Sequence, residues 1–546
     1  MKNGMTQWLL FLVVFLKMFT AQAYEFEKLP IQEGGRIKPY LTFAQETLEL
    51  VYGKKTYLNK EPATDIVLTW MLQPEIWQEK PFVEIKYGEL KKALKLSETE
   101  KYFSPQQILS SDRLSLVMQE LNSKREAKEK LDPYFQAVQR LESQLSTFRE
   151  IATGKFLRFV PPTTGDQWIS VDALDGELSV SFLGLTKAFI TYIDSKMSDD
   201  KAKAKSALDA FDGQVLKFRY LAQKNNPALY ANESKIDAEV FYNYFHPYKW
   251  AWIFYVITMV LLLLVWILDK NKLYPAAWVM VFIGLGFHIS GFALRSYIIE
   301  RPPVTNMYET VVWVAFGALV FSMIIEAIYR WRFILFAGTL VASFCLILSD
   351  FAPVVLDPSL EPLQPVLRSN YWLLIHVLTI TISYAAFFLA FALGDIGLVY
   401  YLKGEEKNQD KIKAIVLAIY RAMQIGISLL APGIILGGIW ADYSWGRFWG
   451  WDPKETWALI ALLGYLAVLH GRLAGFIKDF GMVVAGVVSF SLVIMAWYGV
   501  NFVLGAGLHS YGFGAGGVEY VSIFVALHIM FVVFVAVTRG KKIKSA

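Results

Sequence analysis

IWADYSWGRFWGWDPKETW, residues 439–457, carries five tryptophans (Trp440, Trp445, Trp449, Trp451, Trp457) together with Tyr443 and Phe448. Gly446, Gly450 and Pro453 interrupt it, and Asp442, Arg447, Asp452, Lys454 and Glu455 supply its charge. Apolar runs flank it on both sides, which places it where a membrane meets water. Trp and Tyr gather at that depth as a belt, but a belt uses one or two aromatics per helix end. This stretch is far denser. It reads as an aromatic platform for a large planar ligand.

The rest of the chain sets that platform in a membrane. Of 546 residues, 55% are hydrophobic and 18% charged, with mean hydropathy +0.38. Those values lie outside the soluble range and imply an all-α polytopic membrane protein. Apolar spans of bilayer length fall near 250–268, 274–294, 307–328, 333–349, 371–402, 414–438, 456–474, 481–500 and 520–538, about nine transmembrane helices. The single cysteine, Cys345, lies in one of them, so there is no disulfide framework, CxxC or CxxCH. The net charge of +5 matters through where Lys and Arg fall, and no nucleic-acid partner is expected.

Residues 1–23 combine Lys2, an apolar run over 8–19 and Ala21-Gln22-Ala23. These are the marks of a secretory signal peptide, with an uncleaved anchor as the alternative; both put the adjoining segment outside the cytoplasm. Residues 24–249 form an expected extracytoplasmic domain, mainly helical, and residues 250–546 a transmembrane domain. In the outer domain, 34–53 reads as a turn and an amphipathic helix, and 104–154 and 183–222 have helical spacing. Residues 157–176 read as loop or short strands. No paired carboxylates or metal-ligand cluster stand out there, so its expected role is binding or docking.

With that domain outside, the loops at 269–272, 330–332, 403–413, 472–478 and 539–544 face inward and carry the Lys/Arg excess that inner loops show. Arg295, Arg301, Arg368 and Arg447 are sparse on the outer side. The tryptophan segment at 440–457 is then outer, level with residues 349–370 and 501–520.

Six histidines can be weighed by depth. His376 is about one turn inside the outer end of the fifth span, and His509 lies in the outer loop after the eighth, among glycines that allow close backbone approach. Both sit level with the tryptophans. Two neutral imidazoles on opposite faces of a haem, its edge on the aromatic shelf, make a six-coordinate site. His470 lies about 21 Å below the outer surface, at 1.5 Å per residue. His288 differs from it in depth by about 10–15 Å, a poor pairing on one iron unless the second span starts later or tilts strongly, and His528 matches His288 better than His470. A ligand for His470 from another polypeptide is at least as good a reading as His288. His246, just before the first span, reads as structural.

Residues 445–460, WGRFWGWDPKETWALI, resemble the WWD domain of haem-handling proteins in cytochrome c maturation. The WDPKETWALI continuation is similar to the System II synthase channel subunit of the CcsA/ResC type. Arg301-Pro-Pro-Val-Thr-Asn306-Met-Tyr-Glu309-Thr, Trp372-Leu-Leu-Ile-His376, Leu469-His470 and Leu508-His509-Ser-Tyr-Gly512 fall in that family's order, covering about 270–530. Gly35-Arg36-Ile37-Lys38-Pro39 resembles the region preceding the channel in fused CcsBA-like proteins, which suggests the C-terminal part of a split fusion.

The resemblance implies a holocytochrome c synthase-type lyase acting within a complex, in the bacterial inner (cytoplasmic) membrane. Haem b (iron protoporphyrin IX) would be exported to the outer face and attached through thioethers to the CxxCH of apocytochrome c. His376 and His509 would ligate the external iron, with Trp445, Trp449, Trp451 and Asp452 as platform, and His470 would ligate a haem held in the membrane. A CcsB/ResB-like subunit would supply that haem's second ligand, and thiol-reducing proteins would keep CxxCH reduced. Asp452 and Glu455 read as loop anchors beside Lys454 and Arg447 rather than proton carriers; Arg295, Arg301 and Arg447 are the candidate propionate partners. The rival classes are a haem transporter that serves a separate ligase, and a lipid-linked glycan ligase, which would bind no haem.

Overall fold

The computed structural model describes residues 24–545 apart from 59, 130, 197, 199, 269, 353–354, 363–369 and 506–515. The expected signal segment at 1–23, His509 and Arg368 therefore lie outside the described residues. The chain divides into two compact units, Met1–Phe245 and His246–Ala546.

The first unit is mainly helical, as its spacing predicts. Gly34 and Gly35, both at positive φ, close a hairpin between Pro30–Glu33 and Arg36–Pro39, which leads into the helix Tyr40–Tyr52. Arg36 grips Glu239 through two 2.8 Å hydrogen bonds, and Lys38 pairs with Glu33 and Glu46. Longer helices follow at Leu114–Glu126, Pro133–Ala152, Gly176–Lys196 and Lys201–Asn225. The 157–176 stretch supplies the ribbon Arg158–Val160 with Ile169–Ser170. Aromatic side chains fill the core: Phe26 packs on Tyr40 at 4.4 Å, and Trp70 on Phe82 at 5.2 Å, all fully buried.

The second unit is an all-helical membrane bundle. Among the described residues nine helices are long and apolar enough to cross a bilayer. They are labelled α1 (Pro247–Leu268), α2 (Tyr274–Ile299), α3 (Met307–Tyr329), α4 (Phe333–Phe351), α5 (Leu378–Lys403), α6 (Gln409–Trp445), α7 (Pro453–Leu473), α8 (Asp479–Leu504) and α9 (Val518–Ser545). The protein is a polytopic membrane protein. His246, at φ 44°, precedes α1, and its carbonyl accepts from the Lys249 and Trp250 amides, a structural role.

α5 is the centre of the bundle, packed against α3, α4, α6 and α8. Small residues let α5 and α6 approach closely: a Cβ at Gly433 of α6 would lie 3.1 Å from the Ile380 backbone. α7 and α9, by contrast, bury little of their surface within the chain. Two helices are irregular at the ends that matter here. A π-helical turn, Leu373–Val377, precedes α5, and the last ten residues of α8, Met495–Leu504, are π-helical. Wide turns of this kind recur at functional sites.

Candidate functional site

The tryptophan segment is a corner between two helices. Its first part, through Trp445, is the end of α6, which stops at Gly446 in the left-handed conformation (φ 68°), where a Cβ would be strained. α7 then starts at Pro453 with Asp452 as N-cap. The buried Asp452 carboxylate accepts from the Lys454 amide at 2.9 Å, and Glu455 accepts from the Asp452 amide at 3.2 Å, closing a capping box. Glu455 also accepts from the Gly450 amide at 2.8 Å and pairs with Arg447 at 3.3 Å. Glu455 thus holds the corner together at three points, the anchoring role expected of it.

That corner turns aromatic faces outward. Trp451 sits at φ 56°, a costly conformation for a bulky residue, and its ring is 70% exposed. Trp449 meets it edge-on at 5.9 Å, and the Arg447 guanidinium lies 5.7 Å from the Trp445 ring. Phe448 folds back over Gly438 of α6.

His376 stands beside this corner. Its ring meets Trp440 edge-on at 5.7 Å, and its Nδ1 lies 2.9 Å from the Gly433 carbonyl oxygen. A carbonyl only accepts, so Nδ1 carries a proton, and in the neutral tautomer that leaves Nε2 as the ring's basic nitrogen. This is how metal-ligating histidines are oriented, with the far nitrogen held by a backbone carbonyl. The seat is tight: a Cβ at Gly437 would lie 2.6 Å from His376 Cε1.

The second expected ligand, His509, is outside the described residues, but both flanks of its stretch are tied down. Lys454, two residues past the Asp452 cap, donates to Asn501 Oδ1 at 3.0 Å, which joins the corner to the π-helical end of α8. Tyr498 donates to the Gly516 carbonyl at 2.7 Å, and Trp497 to Thr310 of α3 at 3.0 Å.

The remaining histidines separate by chemistry. His470, in the last turn of α7, is exposed; its Nδ1 donates to the Leu466 carbonyl at 2.8 Å, again placing the lone pair on Nε2. His288 is fully buried with both nitrogens committed: Nε2 donates to the Val312 carbonyl and Nδ1 accepts from Tyr255, each at 3.1 Å. It has no lone pair left for iron. His528 of α9 faces Asp395 of α5.

Two of the three candidate propionate arginines are engaged inside the bundle. Arg295 donates to Glu309 at 2.8 Å and to the Pro358 carbonyl at 2.9 Å; Arg301 pairs with Glu309 at 3.3 Å and donates to the Glu361 carbonyl at 2.9 Å. Glu309 is fully buried between them and also accepts from the Thr305 amide. This network holds the chain segment that comes after α4. Arg447 remains in the tryptophan corner. Among the described residues no group of three His, Cys, Asp or Glu could hold a metal ion.

Comparison with known proteins decides the family. Residues 304–509 match the model of the cytochrome c assembly protein family. The chain is 32% identical over 255 residues to the cytochrome c biogenesis protein CcsA of Parasynechococcus marenigrum, of which it covers 83%. The chain belongs to the cytochrome c assembly protein family, in its CcsA branch. It is 34% identical over 217 residues to CcsA of Chlamydomonas reinhardtii, 61% of that protein, and 27% identical over 502 residues to the protein NrfI of Wolinella succinogenes. The NrfI match takes in 88% of this chain but only 53% of NrfI, so the chain spans about half the length of that relative. The matched region, residues 304–509, contains the tryptophan corner, His376 and His470.

Proposed function

We propose that this chain receives haem b as substrate in the membrane, presents it at the tryptophan corner on the outer side of a bacterial inner membrane, and holds it for thioether attachment to apocytochrome c. The observation that carries this reading is the His376 ring, held by the Gly433 carbonyl and edge-on to Trp440 at the tryptophan corner. His376 and His509 are the axial ligands, Trp445, Trp449 and Trp451 the shelf, and Arg447 the propionate partner. Asp452 belongs to the site as the cap that fixes where the shelf turns. The strained backbone at Trp451 supports a functional reading, since strain kept on an exposed ring serves something other than packing.

His470 holds a second haem position in the inner half of the bilayer. With His288 committed elsewhere, the other ligand comes from a CcsB/ResB-like subunit bound against α7. The attachment step needs no acid–base pair from this chain. Each CxxCH thiol adds across a vinyl group: the S–H and vinyl π bonds break, C–S and C–H bonds form, and no electrons are gained or lost. The thiols must arrive reduced, which calls for thiol-reducing partners. The protein supplies positioning, which can account for much of such a barrier. Residues 24–249 are an outer domain on which the cytochrome docks.

The test is co-expression of the full chain, a CcsB/ResB-like subunit and a c-type cytochrome in cells without other maturation systems. Covalent cytochrome is expected, and its loss in His376→Ala. Haem reaching the outer face with no covalent product would reject the attachment step and leave export alone.

A further inference from the structure

Lys454 stands in the first turn of α7, inside the tryptophan segment and three residues after the exposed Trp451. Its half-buried side chain donates through the ammonium to Asn501 Oδ1 at 3.0 Å. That acceptor is neutral, whereas an ammonium has three donors and a full charge to satisfy. Asn501 is fixed in this role, because its Nδ2 donates to the Trp497 carbonyl at 3.2 Å.

The carboxylates of the corner are engaged elsewhere. Asp452 lends its field, but the oxygen it turns toward Lys454 accepts from the backbone amide at 2.9 Å and not from the ammonium. Glu455 is held by the Gly450 and Asp452 amides and by Arg447. Among the described residues no carboxylate oxygen lies within ion-pair distance of the ammonium, and the outer stretches 353–354, 363–369 and 506–515 contain no Asp or Glu. Other cations of the bundle are matched differently. Arg295 and Arg301 share Glu309, Arg472 pairs with Asp479 at 2.7 Å, and Arg539 pairs with Glu405 at 2.8 Å. An anion that reached Lys454 would gain both Coulomb attraction and charge-assisted hydrogen bonds.

The planar ligand read for this corner carries two carboxylates on one edge and two vinyl groups on the opposite edge. The corner offers two cations, Arg447, already paired with Glu455, and Lys454. We infer that Lys454 binds one haem propionate while Arg447 takes the other, and that this pair sets which way the ring faces on the tryptophan shelf. Anchoring the carboxylate edge at the start of α7 turns the vinyl edge away from it and leaves the vinyls open to incoming thiols. The inference rests on the reading that the corner holds haem, and the test separates the two.

The full chain with its membrane partner, free of haem, carries His470→Ala so that the outer site alone is titrated. Ferric haem b and its dimethyl ester are added separately, and the Soret band is followed. The ester keeps the ring, iron and vinyls but has no ionised carboxylate. Lys454→Met is expected to weaken haem binding about tenfold, the loss of one charge-assisted contact, and to leave ester binding unchanged. Lys454→Arg keeps the charge and is expected to recover most of the lost affinity. Equal weakening for haem and ester would show a purely structural Lys454 and overturns the inference. Unchanged haem affinity in Lys454→Met also overturns it, and is the result if a lipid phosphate serves as the counter-ion instead. Should Lys454→Met not accumulate, Lys454→Gln removes the charge, keeps a donor for Asn501 and gives the same comparison. If both titrations are indifferent to His376→Ala, the haem-ligand reading has failed, while the contrast between haem and ester at Lys454 still decides the anchor.

Discussion

His376 Nδ1 donates to the carbonyl of Gly433 across the α5–α6 contact, and Gly437, one turn further along α6, lies beneath the same ring. The orientation of the imidazole is thus decided by a helix that contributes no ligand. Gly437→Ala should therefore act on the haem site without removing any group that touches iron. The added methyl would meet Cε1 at 2.6 Å and push the ring off its seat. An absorption spectrum should show low-spin haem giving way to high-spin, as in His376→Ala. A Gly437→Ala spectrum identical to wild type would mean that the Gly433 seat does not orient the ligand.

The Lys454–Asn501 hydrogen bond joins the tryptophan corner to the π-helical end of α8. Asn501→Leu keeps the volume and removes the acceptor, leaving the ammonium short of a partner. A loss of about 1–3 kcal/mol is expected for an unmatched buried polar group. Thermal unfolding in detergent measures it. Lys454→Met, which removes the charge as well, should cost less than Asn501→Leu. The reverse order would show that Lys454 acts through its charge.

Glu455 accepts from two backbone amides and pairs with Arg447, all within the corner. Glu455→Gln retains an acceptor and should keep most cytochrome attachment. Glu455→Ala removes the acceptor of the exposed Gly450 amide and the part-buried Asp452 amide and should lose about 1 kcal/mol of stability. Activity at several pH values discriminates this from acid–base chemistry. A proton carrier would show a Gln variant as inactive as the Ala variant.

Arg295 and Arg301 enclose Glu309 and reach the carbonyls of Pro358, Ser359 and Glu361. Removing one member of a buried charged set strands the others, at about 3–5 kcal/mol. Glu309→Ala should therefore prevent accumulation of folded protein, measured by size-exclusion chromatography after solubilisation. Haem supply is expected not to rescue it, because Arg295 and Arg301 are already engaged with Glu309 inside the bundle.

The nine spans were legible in the sequence because bilayer length imposes long apolar runs. That the corner stands beside His376 was legible because both were read at the same end of neighbouring spans. Asp452 and Glu455 were legible as anchors of the corner, although the capping box they form was seen only in the structure. Three features carried no periodic signal. His288 finds Tyr255 and Val312 on two other helices, which no local pattern announces. The π turns before α5 and at the end of α8 have no composition of their own. Arg295 and Arg301 looked like propionate partners because Glu309, at the head of the next span, is close only in space; its Asn306 cap and first-turn position were the available hint.

Glu27, in the outer unit, offers a pH test. Its carboxyl is buried, and burial pushes its pKa up to about 7 from 4.5, although Tyr244 donates to both oxygens at 2.8 Å and opposes the shift. With the folded pKa above the unfolded one, the native state binds more protons between those values. Its contribution to stability is present below about pH 4.5 and is lost as pH rises through 7. A shift of that size corresponds to about 3 kcal/mol at 1.36 kcal/mol per unit. Glu27→Gln keeps a neutral side chain at every pH and should flatten the dependence. Hydrogen exchange of amides in Tyr40–Tyr52, followed from pH 4.5 to 7 and corrected for intrinsic rates, reads this in the full chain. Protection that does not fall with pH in wild type, or falls equally in Glu27→Gln, would place the titration elsewhere.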